Sequence, residues 1–442
     1  MHTIIHGDCL EELKKLEDNS VDAVITDPPY GLSNTKPAQV ADVLAAWVTG
    51  ETEAVPAKRG GFMGKDWDSF VPPPAVWQEC MRVLKPGGHM AVFAGARTQD
   101  LMGLSIRLAG FEIRDTLGWI HSQGFPKGQD LGKIIDKKLG AEREVVGRTK
   151  TPFKVDAAAH RGTSLQGSVN GDFSKQVDEN GYRYTEHTAP ATSEAKRWTG
   201  WNSQLKPAIE PIILARKPLD GTVANNVLAH GVGGLNIDAC RVPSTDKAKF
   251  PAGVVSDTEA VYGGGGGMYS DRPRPVDKNP SGRFPANVLL DEHAAKEMDK
   301  QSGWSKSPET TGRGAGGQNG RYHPIGAQGT VSAPGDSGGA SRFFPVFKYQ
   351  AKAPKKERPV IEREDGSKIQ HPTVKPLALL DWLVTLITPP GGLVLDPFAG
   401  TGTTLQAARN KGYRAIGIEA DTDYIQLIHQ RMEGGTPSTR NS

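Results

Sequence analysis

The chain has 442 residues, with 53 Lys+Arg against 50 Asp+Glu for a net charge of +3, and it carries 53 Gly, 32 Pro and 3 Cys. That length accommodates one large domain or two to three ordinary ones, and the Gly and Pro content exceeds average usage without reaching that of a disordered chain, so a packed core interrupted by long loops is expected. No stretch approaches the ~18 uninterrupted apolar residues of a membrane helix, the first residues lack an export signal, and Cys9, Cys80 and Cys240 are too isolated for a disulfide framework or a CxxC zinc site. The expectation is a soluble, cytoplasmic protein with no membrane partner and no metal.

In chain order, Thr3–Ile5 reads as a short buried strand, Cys9–Leu16 as an amphipathic helix and Val21–Ile25 as a second buried strand, the βαβ rhythm of a parallel sheet. A long connection from Tyr30 to Pro74, containing Gly60-Gly61 and Pro72-Pro73-Pro74, is expected to be functional or mobile. A helix is predicted at Ala75–Leu84, a break at Pro86-Gly87-Gly88, a strand at His89–Phe93, a helix at Gln99–Leu108 and a strand at Glu112–Ile120. From about Pro126 the rhythm fails. Possible strands remain at Ile209–Ala215 and Phe284–Leu290, between segments that read as flexible at Asn170–Asp172, Gly263–Gly267 and Gly312–Ser341. The rhythm resumes near His371, with helices at Leu377–Thr388, Thr403–Asn410 and Tyr424–Met432, strands at Leu393–Leu395 and Arg414–Ile418, and a tail expected to be disordered.

Charge follows the same division. Residues 121–370 hold 36 Lys+Arg against 28 Asp+Glu, whereas the flanks together hold 17 against 22. A basic insert on an acidic body suggests a polyanionic partner, or else a solvated loop-rich insert that happens to be basic. The architecture expected is α/β: one sheet built from residues 1–125 and 370–434, an inserted region at 126–369 projecting from it, and a tail at 435–442.

Two constellations carry chemistry. Leu393-Val394-Leu395-Asp396-Pro397-Phe398-Ala399-Gly400-Thr401-Gly402-Thr403 is a buried strand running into a glycine turn and a helix start, where bare backbone and unpaired N–H groups let a ligand approach. Glu419 follows Asp396 by 23 positions, a spacing at which an acidic strand end can take both hydroxyls of a ribose. Structural loops share this pattern, but the acidic partner favours a nucleoside cofactor, and the absence of a P-loop lysine disfavours ATP hydrolysis. The second is Asp27-Pro28-Pro29-Tyr30, directly after a buried strand. It reads either as a proline-stiffened turn or as an array in which the Asp carboxylate and proline-fixed carbonyls accept both hydrogens of an exocyclic amine while Tyr30 offers a stacking face.

Together these motifs resemble the S-adenosylmethionine-dependent amino-group DNA methyltransferases, whose catalytic tetrapeptide is (D/N/S)PPY. The order of catalytic motif, long variable region and cofactor loop resembles their β class. His371-Pro372-Thr373-Val374-Lys375-Pro376 resembles the family's HPTxKP segment beside the methionine end of the cofactor, and Gly7-Asp8-Cys9 its acidic turn near the adenine.

The resemblance implies a Rossmann-like methyltransferase sheet assembled from both chain ends, with a target-recognition region inserted. It implies that Asp27, Pro28, Pro29 and Tyr30 are catalytic. It also implies that Asp396, Pro397, Phe398, Gly400, Gly402 and Thr403 surround S-adenosylmethionine, with Glu419 on its ribose, Asp8 on its adenine, and His371, Pro372, Thr373 and Lys375 along its wall. Read from the residues alone, Asp8 is equally an N-cap of the Cys9 helix, and Lys375 either pairs with the cofactor carboxylate or snorkels at the surface. Trp119, with Phe125-Pro126-Lys127 nearby, is either core or a platform for the target base. Lys196-Arg197-Trp198 with Trp201-Asn202, and Lys352–Arg358, are candidate contacts to double-stranded DNA.

The activity implied is methyl transfer to N6 of a flipped-out adenine. Cytosine N4 is the alternative acceptor, and a silent DNA-binding or nucleotide-sensing module with the same fold is the rival of another class. A homodimer and a cognate restriction nuclease are possible partners.

Overall fold

The structure, a computed structural model, describes residues 2–33, 35–56, 68–122, 128–154, 182–243, 282–307, 310–313, 330–333, 336–347, 359–363, 365–371 and 373–434. The expected flexible segments at 170–172 and 263–267, much of 312–341, and the tail at 435–442 lie outside these residues.

Nine strands form one sheet. Four come from the first part of the chain: β1 (His2–His6), β2 (Val21–Thr26), β3 (Leu84–Phe93) and β4 (Glu112–Ile120). Three come from the middle, β5 (Ile209–Arg216), β6 (Val288–Asp291) and β7 (Val346–Phe347), and two from the last part, β8 (Leu393–Asp396) and β9 (Arg414–Glu419). Their order is β1-β9-β8-β2-β3-β5-β4-β6-β7. All neighbours run parallel except β5, which is antiparallel to both β3 and β4.

Every residue of β2 is buried, which is why Val21–Thr26 shows no apolar–polar alternation: helices cover both faces of the sheet. On one face Leu379, Leu383 and Val384 of helix Leu377–Ile387 and Leu405 and Ala408 of helix Thr403–Asn410 pack with Ala23, Ile25, Ala91 and Phe93. On the other face Trp77 and Cys80 of helix Pro74–Val83 and Met102 and Ile106 of helix Gln99–Leu108 pack with Val24, Met90 and Val92. The two ends of the chain meet twice, where β1 pairs with β9 from His2 opposite Ala415 to His6 opposite Glu419, and where β8 pairs with β2, Val394 opposite Ala23 and Leu395 opposite Val24. Asp22, 5% exposed, locks the second junction by accepting from the Leu393 N–H at 2.7 Å and from Lys85 Nζ at 2.6 Å.

The sheet is thus assembled from both chain ends, as the family resemblance implies, but the middle does not simply project from it. β5 is an interior strand, its residues Pro211–Arg216 all buried, and β6 and β7 extend the far edge.

Three further local expectations change. The Tyr30–Pro74 connection contains a helix, Pro37–Val48: Pro37 sits where a missing N–H costs nothing, Val43 and Trp47 are buried, and Trp47 packs edge-on against Phe70 at 5.9 Å. The Gly and Pro clusters elsewhere in the connection concealed it. Pro86-Gly87-Gly88 is a bulge inside β3 rather than a break, since β2 pairs Val21 with Leu84 and then Ala23 with His89. The strand expected at Phe284–Leu290 shrinks to Val288–Asp291, with Phe284 66% exposed.

The bulge is held by Asn226, wholly buried on helix Val223–His230. Its Nδ2 donates to the carbonyls of Pro86 at 2.9 Å and Val232 at 2.8 Å, and its Oδ1 accepts from the Asp220 N–H at 2.9 Å. Gly87 has φ +76°, and a Cβ there would stand 2.3 Å from Asn226 Nδ2, so only glycine fits. Asn226→Ala removes the partner of the Pro86 and Val232 carbonyls and of the Asp220 N–H, and is expected to cost about 2–4 kcal/mol. A denaturant titration checks this: the midpoint falls while the slope is unchanged.

Candidate active site

The parallel strands β8, β9, β2, β3 and β4 all end at one edge of the sheet, and antiparallel β5 begins there. Backbone groups that leave a ladder lack partners, so such an edge is where loops can build a site. The edge gathers Asp396, Glu419, Asp27 and Glu210.

Asp27 follows the last residue of β2. The turn after it is clamped from two directions: the N–H groups of Tyr30 and Gly31 donate to Asp68 Oδ1 at 2.8 and 3.0 Å, and Thr98 Oγ1 donates to the Tyr30 carbonyl at 2.6 Å. Gly31, at φ +65°, passes so close to Val71 that a Cβ would meet its nitrogen at 2.7 Å. Tyr30 donates its hydroxyl to Asp27 Oδ1 at 2.7 Å. Burial, followed by the Asp27 charge, raises the Tyr30 phenol well above its ordinary value, so the donor stays protonated.

Lys375 completes this cluster. Its ammonium lies 2.8 Å from Tyr30 Oη, 3.1 Å from Asp27 Oδ2 and 2.9 Å from Glu210 Oε2, with the rings of Tyr30 and Phe93 centred 5.1 and 5.0 Å away. Burial opposes the charged form, but the Asp27 and Glu210 carboxylates outweigh it and hold the lysine pKa above normal. The snorkelling reading of Lys375 does not match this geometry: its side chain is 11% exposed and its ammonium faces the Asp27 and Glu210 carboxylates. The proline-led helix start at Pro376 aims the preceding residue inward, which local sequence does not disclose.

The glycine turn joins the cluster through β8. Asp396, 3% exposed, accepts from Thr26 Oγ1 at 2.7 Å and from the Phe398 N–H at 3.1 Å, fixing the turn to the residue before Asp27. Gly400 (φ +54°) and Gly402 (φ +73°) take left-handed backbone, and a Cβ at Gly402 would meet Ile428 at 2.9 Å. Thr403 is buried at the helix start, Pro397 is buried, and Phe398 is half-buried against Trp77, ring centres 6.3 Å apart. Glu419, at the end of β9, braces this turn: Oε2 accepts from the Gly400 N–H at 2.7 Å and Oε1 from the Asp421 N–H at 2.9 Å. Burial raises the Asp396 carboxyl to about 6 and the Glu419 carboxyl to about 7, against the hydrogen bonds that favour their ions.

His371 packs against Tyr424 with the rings tilted by 59° and their centres 4.6 Å apart, and its Nε2 is 3.6 Å from a Cβ built on Gly400, so this ring forms a wall of the glycine turn. Its Nδ1 is hydrogen-bonded to Thr373, and burial lowers its pKa. Pro372 lies outside the described residues.

Other expected site residues fare differently. Asp8 caps the Cys9–Leu13 helix, its Oδ1 accepting from the N–H groups of Leu10 at 3.0 Å and Glu11 at 3.3 Å, while the Gly7 N–H donates to the Glu419 carbonyl at 3.0 Å and keeps that turn beside β9. Trp119 is core, not platform: it lies on β4 between β5 and β6, 4% exposed. Phe125-Pro126-Lys127 and Lys352–Arg358 lie outside the described residues. Lys196, Arg197 and Trp198 are exposed at the end of the short helix Ser193–Arg197, where Trp198 meets Trp201 edge-on at 5.1 Å. Lys206, a few residues on, donates to the Ser122 carbonyl just past β4, so this surface is anchored near the catalytic edge. Sequence reasoning missed Asp68, Thr98 and Glu210, none of which belongs to a local pattern.

The DNA methylase family model (N6_N4_Mtase) matches residues 21–160 and 202–430. Among curated proteins, the type II methyltransferase M2.DpnII of Streptococcus pneumoniae is 42% identical over 64 residues, 14% of this chain and 24% of that protein. The type II methyltransferase M.HindIII of Haemophilus influenzae is 24% identical over 254 residues, 53% of this chain and 64% of that one. The chain therefore spans less than two thirds of either relative. Among solved structures, the M1.HpyAVI–SAM complex aligns with a TM-score of 0.37 at 15% identity, covering 98% of this chain and 99% of that one. PvuII DNA methyltransferase (cytosine-N4-specific) aligns at 0.40 and 12% identity, covering 100% and 89%. With its family model matched across well over half its length, and with the Asp27 turn and the glycine turn side by side at one sheet edge, the chain belongs to the N6/N4 DNA methylase family.

Proposed function

We propose that this protein is a site-specific DNA methyltransferase that moves a methyl group from S-adenosylmethionine to N6 of an adenine extruded from duplex DNA. The observation that carries the reading is the 2.7 Å bond from Thr26 to Asp396, which sets the amine-accepting turn against the glycine turn. The glycine turn fits the cofactor: left-handed Gly400 leaves bare backbone facing the His371 ring, Gly402 packs on Ile428, and the Glu419 and Asp396 carboxylates that brace the turn stand beside it. When bound there, S-adenosylmethionine supplies an electrophilic methyl group.

The remaining work falls to the chain. An adenine amine is a poor nucleophile because its lone pair is delocalised into the ring. Asp27, with the carbonyl of Pro28, accepts its hydrogens and favours a pyramidal nitrogen, stabilising charge that develops in the transition state. Tyr30 and Pro29 flank the extruded base, whose removal from the helix is required because the amine is otherwise buried in a base pair. The DPPY form of the tetrapeptide supports adenine over cytosine. Lys196, Arg197 and Lys206 serve as phosphate contacts and Trp198 and Trp201 as an aromatic surface against the DNA. Such an enzyme works in the cytoplasm on the chromosome.

Four experiments test the reading. Incubation with unmethylated DNA and S-adenosylmethionine, then nuclease digestion and mass spectrometry, is expected to yield N6-methyladenine; N4-methylcytosine would overturn the base, and no methylated nucleoside would overturn the activity. Asp27→Ala should lower turnover at least about a hundredfold while cofactor affinity stays within about threefold.

Ionisation of Glu419 acts on stability and on cofactor binding in opposite directions. Its folded-state pKa of about 7 lies above the ordinary value of 4.5, so the free protein loses stability as pH rises through that window. Ribose hydroxyls need the ionised acceptor, so cofactor affinity should instead rise from pH 6 to pH 8. Glu419→Gln is expected to weaken cofactor binding at pH 8 by about 10- to 100-fold and to flatten both trends, by calorimetry and thermal melts. Replacing Lys196 and Arg197 together by Ala should reduce the slope of log Kd for DNA against log salt by about one to two units.

A further inference from the structure

One carboxylate stands against the Asp27–Lys375 pair without belonging to any motif. Glu210 is the second residue of β5, and because β5 runs opposite to its neighbours its beginning lies where β2, β3 and β4 end. Glu210 Oε2 is 2.9 Å from Lys375 Nζ, and Oε1 is 3.9 Å from Nε2 of His121, just past β4. Lys375 has three N–H donors, and three acceptors surround it: Tyr30 Oη, Asp27 Oδ2 and Glu210 Oε2, at 2.8, 3.1 and 2.9 Å. Asp27 is the longest of the three contacts.

Two carboxylates therefore share one ammonium, and the trio carries a formal charge of −1. With Glu210 neutral the trio would be neutral, and Lys375 would be matched by Asp27 alone, occupying the oxygen that must accept amine hydrogens. An amine nitrogen that gains a bond to carbon carries positive charge until it gives up a proton, and a site of net negative charge stabilises that state.

Resting on the methyl transfer proposed above, we infer that Glu210 is a positioning residue for that reaction: it draws Lys375 off Asp27 and so preserves the acceptor capacity and negative charge of Asp27 for the target amine. The reaction it serves is balanced. The nitrogen lone pair forms the bond to the methyl carbon, the carbon–sulfur bond breaks with its electron pair left on sulfur, and the surplus amine proton passes to Asp27 and then to water. Lys375 stays protonated throughout.

The test is single-turnover methylation of duplex DNA by the full chain, with DNA KM, cofactor Kd by calorimetry and thermal midpoint measured alongside. Glu210→Gln is expected to slow the transfer step about 10- to 100-fold while DNA KM and cofactor Kd change less than about threefold. Glu210→Asp should restore part of the rate. Lys375→Met should also be slow, and adding Glu210→Gln to it should raise the rate above that of Lys375→Met alone, because Asp27 and Glu210 repel once the ammonium between them is gone. A wild-type transfer rate for Glu210→Gln would overturn the inference alone. So would losses that multiply in the double variant, or a rate loss that tracks the thermal midpoint with no rescue by Asp. No methylated nucleoside from the wild-type protein would overturn this inference and the proposed function together.

Discussion

The ends of this chain join in two parallel ladders, β1 with β9 over five residue pairs and β8 with β2 over only two, Val394 with Ala23 and Leu395 with Val24. Everything at the site depends on that short ladder, because it brings Asp396 beside Thr26 and hence the glycine turn beside Asp27 across 370 positions of sequence. Few ladder bonds are available in so short a contact, so side chains reinforce it at both ends. Asp22 ties the start of β8 to β2 and β3, and Thr26 ties its end to Asp396. Both carboxylates are buried, where a hydrogen bond to a carboxylate is worth about 1.5–3 kcal/mol and its loss would strand a buried acid.

The same convergence crowds negative charge. Asp27, Glu210, Asp396 and Glu419 face one edge, and Lys375 is placed among the first two with its ammonium pKa held above normal by them. The other two are managed by burial, which raises them to about 6 and about 7, and by backbone N–H donors that make the ionised forms tolerable. The result is a division of labour between two turns. One is braced by N–H groups donated to Glu419 and Asp396, and the other by Asp68, Thr98 and the hydroxyl of Tyr30. A site whose acceptors are already oriented needs little rearrangement when charge develops.

The middle of the chain enters this architecture through β5. An antiparallel strand between β3 and β4 delivers its first residues, not its last, to the edge where parallel strands end. That reversal is why Glu210 reaches Lys375, and it also carries the exposed Trp198–Trp201 surface and Lys206 toward the same edge, since they precede β5 by only a few residues. A basic insert thus lends the sheet one catalytic-side carboxylate along with its surface cations.

Much of the fold was legible because it is local. The βαβ rhythm at both ends, the buried character of β2, and the Asp27 and glycine turns all follow from residues close in sequence, whose periodicity and stereochemistry act over a turn or a strand. The helix at Pro37–Val48 was hidden by surrounding loop signals, and the bulge at Pro86-Gly87-Gly88 looked like a break because proline and glycine mark both; only Asn226, 140 positions away from Pro86, turns it into a held strand. Asp8 and Trp119 were ambiguous for the same reason: a cap or a core position depends on what stands opposite. By itself the sequence determined the two chemical turns and their order, since each is encoded within about ten residues. Tertiary structure decided that they meet, that Lys375 belongs to Asp27 and Tyr30, and that Glu210 joins them, because an ion pair across a sheet edge is set by strand order and direction, which no local pattern contains.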